Sequence, residues 1–70
     1  MWIRTQTGRL INAERIRVFD IGEDNKSVVA IVGPHTQFCA GMYDNTKDAR
    51  DTLEKISAAL KLGKKFLALD

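Results

Sequence analysis

The spacing of apolar residues changes near Asp44. Before this point, apolar and polar residues alternate in short runs, which is typical of β-strands. After it, apolar residues recur every three or four positions, which is typical of one face of an α-helix. The pattern therefore predicts several strands followed by a single amphipathic helix.

Turn residues divide the first part of the chain into strands. We predict a short strand at residues 2–6, a resumption of the apolar pattern at Leu10 and Ile11, and a turn or bulge at residues 12–14. Longer strands follow at residues 15–22, 27–32 and 35–43, separated by a polar loop at residues 22–26 and a turn at Gly33-Pro34. Residues 28–32 are apolar on both faces, so this strand is predicted to be central.

Two of these strands carry a prediction about which side chains point inwards. Early in residues 15–22, alternation places Ile16 and Val18 inwards. Phe19 and Ile21 have the opposite parity, which requires either a bulge or burial on both faces. In residues 35–43, one face is predicted to carry Phe38, Ala40 and Met42.

The helix is predicted over residues 46–62. Asp44, Asn45 and Thr46 are all suitable N-caps, and Gly63 suits the left-handed conformation that ends many helices. The predicted apolar stripe consists of Ala49, Leu53, Ile56 and Leu60.

The last apolar segment, residues 65–69, is either a short fifth strand or an apolar tail, and we favour the strand. The predicted fold is α+β: a small, mainly antiparallel sheet of four or five strands, with one C-terminal amphipathic helix packed on one face. Residues 1–70 form a single domain in this interpretation.

The length of the chain suggests that it needs outside support. A domain of 70 residues buries a small core, and short domains often rely on disulfides, metal ions or oligomerisation. The single cysteine, Cys39, excludes an internal disulfide, and one His with one Cys cannot complete a structural zinc site. We therefore expect a homo-oligomer, although many domains of this size fold alone.

Three apolar residues near the ends of the chain are the candidate protein interface: Trp2, Phe66 and Leu69. Aromatic residues are favoured at interfaces, and a short terminal strand tends to lie at a sheet edge. The alternative is that these side chains complete the monomer's own core. We expect a small interaction or regulatory module that binds itself and an unidentified protein partner.

The charge of the chain permits nucleic acid binding without indicating it. Eleven Lys and Arg against nine Asp and Glu give a net charge of +2. A cluster of arginines near the N-terminus could contact phosphates, or could simply form a solvated face: Arg4, Arg9, Arg15 and Arg17. A nucleic-acid-binding accessory protein is therefore the runner-up. No apolar run is long enough to cross a bilayer, and we expect a cytoplasmic protein without a membrane role.

Catalytic chemistry is not indicated. His35 and Cys39 are four residues apart on a predicted strand, about 13 Å at ~3.3 Å per residue, which is too far for a catalytic pair. The scattered glycines form no phosphate-binding loop. We expect no catalytic, cofactor or metal site. An enzyme would have to build its site between subunits.

The layout of the chain resembles a group of short, uncharacterised bacterial and phage proteins. The resemblance is carried by the opening Ile3-x-Thr5-x-x-Gly8-x-x-Ile11-Asn12 and by Tyr43 followed by a helix with Ala49-x-x-x-Leu53-x-x-Ile56. It spans most of the chain, but the helix begins Asn45-Thr46-Lys47-Asp48 where the group has a more acidic start. The resemblance implies the sheet-plus-helix fold and a phage association, and no activity.

Overall fold

A computed structural model describes residues 1–70 as an α+β domain with one helix and six strands. The strands form two three-stranded sheets rather than one sheet of four or five strands. In chain order the elements are β1 (Trp2–Arg4), β2 (Leu10–Asn12), a 3₁₀ helix (Ala13–Arg15), β3 (Val18–Ile21), β4 (Ser27–Gly33), β5 (Thr36–Met42), α1 (Thr46–Lys61) and β6 (Phe66–Ala68).

The first sheet is an antiparallel meander in the order β3-β4-β5, so β4 is the central strand of its sheet, as predicted. The β4–β5 pairing shifts by one residue at Ala40, which is extra relative to Val28 and Val29 of β4. Such a bulge reverses the facing of the residues beyond it. Ala40 and Gly41 are consequently both buried and Met42 is exposed, so the prediction that Met42 shares a face with Ala40 is wrong.

A close contact also lies at the end of β5, between Gly41 and the ring of Tyr43. A Cβ atom at Gly41 would lie 2.7 Å from the hydroxyl oxygen of Tyr43, so only glycine leaves room for this ring. The Tyr43 hydroxyl is buried and has no hydrogen-bond partner.

The second sheet has the order β2-β1-β6 and joins the two ends of the chain. β1 pairs with β2 in antiparallel fashion, with Ile3 opposite Ile11, and with β6 in parallel fashion, with Ile3 opposite Leu67. The strand favoured for residues 65–69 is therefore present as β6. Its neighbour is the first strand of the chain.

The segment between the two sheets differs from the predicted strand at residues 15–22. The turn expected near residue 12 is a 3₁₀ helix, in which the Asn12 side chain accepts a hydrogen bond from the Glu14 N–H at 3.1 Å. β3 then begins only at Val18, which is half-exposed, while Phe19 and Ile21 pack against the core. The inward facing predicted for Val18 is wrong, because the alternation breaks between Ile16, which packs against the core, and the start of β3, at a bend at Arg17.

α1 matches the predicted helix within a residue. The Asn45 side chain caps its N-terminus by accepting from the Asp48 N–H at 2.8 Å. At the other end Gly63 has φ of 68°, and the Lys64 N–H donates to the Ala59 carbonyl at 3.0 Å, as in a Schellman motif.

The buried stripe of α1 is rotated from the predicted one. Leu60 is 49% exposed and Leu53 only partly buried. The residues actually buried are Ala49, Thr52, Ile56 and Ala59. One hydrophobic core combines residues of α1 with both sheets: Ile3, Ile11, Ala13, Val28, Ala30, Ala40, Ala49, Ile56 and Leu69.

Hydrogen bonds of one residue, Gln6, connect the two sheets beyond the end of β1. Its backbone N–H donates to the Ala40 carbonyl at 3.3 Å, at the bulge of β5. Its side-chain oxygen accepts from the Met42 N–H at 2.6 Å, and its side-chain nitrogen donates to the backbone oxygen of Asp70. Gln6 thus ties β1, β5 and the segment after β6 together.

Candidate interaction surface

The outer face of the β2-β1-β6 sheet carries the most distinctive surface of the molecule. Ile3 points into the core, so its strand neighbours Trp2 and Arg4 point outwards. Residues directly opposite each other share a face. The face therefore consists of Trp2, Arg4, Leu10, Asn12, Phe66 and Ala68, and is called the aromatic face below.

The aromatic face is apolar and accessible. Trp2 is 51% exposed, Leu10 58% and Phe66 50%, and Trp2 lies directly opposite Phe66. The other large exposed apolar side chains lie outside this sheet, at Val18, Met42, Leu60 and Leu62. Single exposed apolar residues are normal on protein surfaces, whereas adjoining ones often mark a binding site.

One positive charge, that of Arg4, lies on this face. The guanidinium carbon of Arg4 is 5.9 Å from the centre of the Phe66 ring, within range of a cation–π contact. Arg4 takes part in neither ion pair of the structure, which are Lys47–Asp51 and Lys55–Asp70. The face is therefore both apolar and positively charged.

The aromatic face ends at an open sheet edge formed by β6, which has β1 as its only hydrogen-bonded neighbour. The Lys65 carbonyl accepts from the Trp2 N–H and the Leu69 N–H donates to the Arg4 carbonyl, both at 2.9 Å. In a parallel ladder these bonds come from alternate residues, so the backbone groups of Phe66 and Ala68 point away from β1. No backbone hydrogen bond joins them to another element.

The predicted interface residues separate into two environments. Trp2 and Phe66 lie side by side on the aromatic face. Leu69 is 7% exposed and belongs to the hydrophobic core, so it cannot contribute to a surface and that assignment is wrong. The reason is parity, since residues three apart along an extended strand point to opposite faces.

The four N-terminal arginines are also distributed over different surroundings. Only Arg4 lies on the aromatic face, and Arg9 lies over the Phe38 ring at 5.6 Å from its centre. Arg15 is exposed at the end of the 3₁₀ helix, and Arg17 lines a groove beside α1. The structure therefore assigns them no common aromatic partner.

The groove beside α1 was not expected from the sequence. It lies between α1 and the segment that runs from the 3₁₀ helix to β3. Most of its lining side chains are apolar: Ala13, Ile16, Phe19, Leu53, Ile56 and Leu60. Leu53 and Leu60 are the two members of the predicted stripe that the core does not fully bury. The sequence feature that could have indicated this groove is the number of large apolar residues on the helix, which exceeds what a small core can bury.

The two reactive side chains noted in the sequence are both accessible. His35 lies in the turn between β4 and β5, and Cys39 is an exposed free thiol on β5. The Cys39 thiol donates to the Gly41 carbonyl at 3.3 Å. No group of three His, Cys, Asp or Glu residues is placed to hold a metal ion.

Comparison with protein-family models, with curated proteins and with solved structures finds no significant match to this chain. The one helix, α1, has neither the length nor the apolar character needed to cross a membrane.

Proposed function

We propose that the protein is a small interaction module that acts by binding protein, and that it self-associates through the β2-β1-β6 sheet. The observation that carries this proposal is the half-exposed pair Trp2 and Phe66 beside the open edge of β6. Tryptophan is enriched among residues that dominate binding energy, and open edges offer backbone hydrogen bonds to a partner.

The size of the domain supports the same proposal. The core is built from short side chains as much as long ones, with four alanines among its nine members. Burying further apolar surface against a second chain would add stabilisation that a small core lacks, roughly 25 cal/mol for each Å² removed from water. In this proposal the module acts in the cytoplasm, where the exposed Cys39 thiol stays reduced.

Sedimentation equilibrium from micromolar to millimolar chain concentration tests the proposal. We expect a monomer–oligomer equilibrium that weakens at least tenfold in the variants Trp2→Ser and Phe66→Ser. Met42→Ser and Leu62→Ser are matched controls, because Met42 and Leu62 are exposed apolar residues outside the aromatic face. A monomer at every concentration, or equal losses in the controls, would contradict self-association through this sheet.

A second candidate function is the binding of single-stranded nucleic acid by the same face. The observation that favours it is the Arg4 guanidinium over the Phe66 ring, next to Trp2. Aromatic rings can stack on bases while an arginine contacts phosphate.

Quenching of the fluorescence of Trp2, the single tryptophan, tests this second candidate. If the face binds an oligonucleotide at about 150 mM salt, affinity should fall steeply with added salt and at least threefold in Arg4→Ala. The double variant Arg15→Ala, Arg17→Ala is the control, since neither residue lies on the aromatic face. Absence of quenching would leave protein binding as the function of this face.

A further inference from the structure

We propose that two copies of the chain join by antiparallel pairing of their β6 strands, with Leu67 on the two-fold axis. This inference rests on the self-association proposed above and specifies its geometry. The pairing would create one continuous six-stranded sheet in the order β2-β1-β6-β6-β1-β2.

The backbone groups available for such pairing are those of Phe66 and Ala68, since the alternate residues of this segment already bond to β1. In an antiparallel ladder, two residues that exchange both hydrogen bonds lie opposite each other. If Phe66 lies opposite Ala68 of the partner, both residues of each copy are satisfied, giving four hydrogen bonds across the edge.

The two neighbouring symmetric registers use groups that are already engaged. Centring the axis on Phe66 would place Ala68 opposite Lys64, whose N–H already donates to the Ala59 carbonyl at 3.0 Å. Centring it on Ala68 would place Phe66 opposite Asp70, whose carbonyl already accepts from the Gln6 side chain. Only the register centred on Leu67 lets the free backbone groups of both Phe66 and Ala68 pair with free groups of the partner.

The side chains of this register are also complementary. The large ring of Phe66 would lie opposite the small Ala68 of the partner, and the two Phe66 rings would be diagonal neighbours, within reach of each other. The exposed pair of Trp2 and Phe66 would thereby become part of a four-membered aromatic cluster spanning the two copies.

Charge supports a second copy as the occupant of this edge. If the extended backbone continues past both ends of β6, the register centred on Leu67 brings Lys64 of one chain opposite Asp70 of the other, whose exposed carboxylate also lies 3.7 Å from Lys55 of its own chain. Opposite charges directly across a ladder stabilise it. An extended peptide from another protein could pair with the same edge, but it would have no reason to carry opposite charges at these two positions. A second copy of the chain carries them by symmetry.

Cysteine pairing provides a direct test of the register. In a Cys39→Ser background, chains carrying Phe66→Cys are mixed with chains carrying Ala68→Cys under a glutathione redox buffer, at a chain concentration high enough to offset the weaker self-association expected when Phe66 is replaced. Both positions are exposed, so the substitutions leave the core intact. The opposed pair would have a Cα separation of about 5.5 Å, which suits a disulfide, whereas two Phe66 positions would be diagonal, at about 7–8 Å, and too distant.

We expect the mixed disulfide to exceed each like-with-like disulfide at least tenfold. Leu67→Cys provides a second measurement, because a residue on the axis should cross-link to itself at a Cα separation of about 4.5 Å. A statistical mixture, in which the mixed dimer is only about twice as abundant as each like-with-like dimer, together with no cross-link at position 67, would overturn the register.

Charge reversal is an independent test that uses the intact backbone. Lys64→Asp and Asp70→Lys should each weaken self-association about threefold or more, and the double variant should restore it, since each charge then again faces its opposite. Lys61→Asp is the matched control on the last turn of α1. Weakening that the double variant does not restore would contradict the proposed pairing.

The outcomes separate the two proposals. A chain that sediments as a monomer under all conditions refutes self-association and the register together. A chain that dimerises without the expected cross-links keeps the proposed self-association and refutes the β6 pairing. A chain that stays monomeric but captures an added extended peptide along β6 assigns the edge to a different partner and also refutes the inference.

Discussion

The two sheets of this protein share a core but differ in how they are built. The β3-β4-β5 meander has strands of four, seven and seven residues joined by short turns, whereas β1, β2 and β6 have three residues each. In the short sheet, Ile3 and Ile11 supply buried side chains and the opposite face carries Trp2 and Phe66 in solvent. The core covers only one face of this short sheet, and the other face is exposed.

The largest expected effect tests whether the two sheets are one cooperative unit. Ile3 of the short sheet and Val28 of the meander are both fully buried in one core. Ile3→Ala should therefore cost about 2–5 kcal/mol of the free energy of unfolding and destabilise both sheets. Urea unfolding followed by Trp2 fluorescence reports on the short sheet, and circular dichroism reports on α1.

The two unfolding curves should coincide in both the parent and the Ile3→Ala variant. Val28→Ala is the corresponding change in the meander and should shift both curves together as well. Loss of the Trp2 signal at a lower urea concentration than the helix signal would show that the short sheet unfolds separately.

Within the meander, a side chain at Gly41 would press against the Tyr43 ring, whereas one at Gly33 would meet open space. Gly41→Ala places a Cβ against the Tyr43 hydroxyl and should cost about 1–3 kcal/mol, as overpacking does. At Gly33 a Cβ would meet nothing within 4 Å, so Gly33→Ala should change stability little. Thermal melts of both variants provide the comparison. Equal losses would mean that the Tyr43 ring is not held against Gly41.

The junction between the sheets should be weaker than either interior. Gln6→Ala removes two side-chain hydrogen bonds at an exposed position and should cost about 0.5–1.5 kcal/mol. Gln6→Glu keeps the oxygen that accepts from Met42 but sets a second, negatively charged oxygen against the Asp70 oxygen, so it should cost at least as much. If both variants melt with the parent, the junction contributes no measurable stability.

The smallest expected effect is on the pH dependence of stability, which should differ between the two hairpin turns. At the β3–β4 turn, hydrogen bonds from the Lys26 backbone and from Ser27 lower the pKa of Asp24 below its ordinary value of 3.8. A carboxyl group with a lowered pKa stabilises the fold above its unfolded pKa, and this stabilisation disappears as pH falls through the folded value. At the β1–β2 turn, the neutral Thr5 hydroxyl fills the corresponding role by accepting from the Arg9 N–H.

Thermal melts across pH should show this difference. The gap in melting temperature between the parent and Asp24→Asn should be constant from neutral pH to about pH 4 and should shrink below it. Glu23→Gln serves as the control, because the adjacent Glu23 makes none of these hydrogen bonds. A gap that persists unchanged into acid would show that the charge of Asp24 is not what stabilises the turn.

Local patterns in the sequence predicted the local structure well. The N-cap region and Gly63 marked the ends of α1, and the apolar run before Gly33 marked the central strand. The rotated stripe of the helix shows the limit of this reasoning. Hydrophobicity favoured Leu60, but the contact surface buries the smaller Thr52 and Ala59 instead.

Long-range features could not be obtained in the same way. The division into two sheets depends on β1 pairing with β6 across nearly the whole chain, and residue alternation contains no information about such a partner. The bulge at Ala40 was likewise not indicated, although it decides the facing of Met42.

The candidate surface was partly predictable. Trp2 and Phe66 were singled out because aromatic residues near chain ends are common at interfaces, and both lie on the exposed face. Separating Phe66 from Leu69 needed only the two-residue period of a strand, once residues 65–69 were taken as one. What the sequence could not provide was the neighbour relation between Trp2 and Phe66, which arises from the parallel pairing.

That parallel pairing also sets an order of events during folding. Hairpins of the meander close short loops. Pairing β6 with β1 instead closes a loop of nearly the whole chain, at a larger cost in chain entropy. The transition state for folding is then expected to contain the meander and not the β1–β6 ladder, so substitutions at Leu67 should speed unfolding more than they slow folding. The edge that β6 offers to another molecule would exist only after the last step, and an incompletely folded chain would have nothing to pair with.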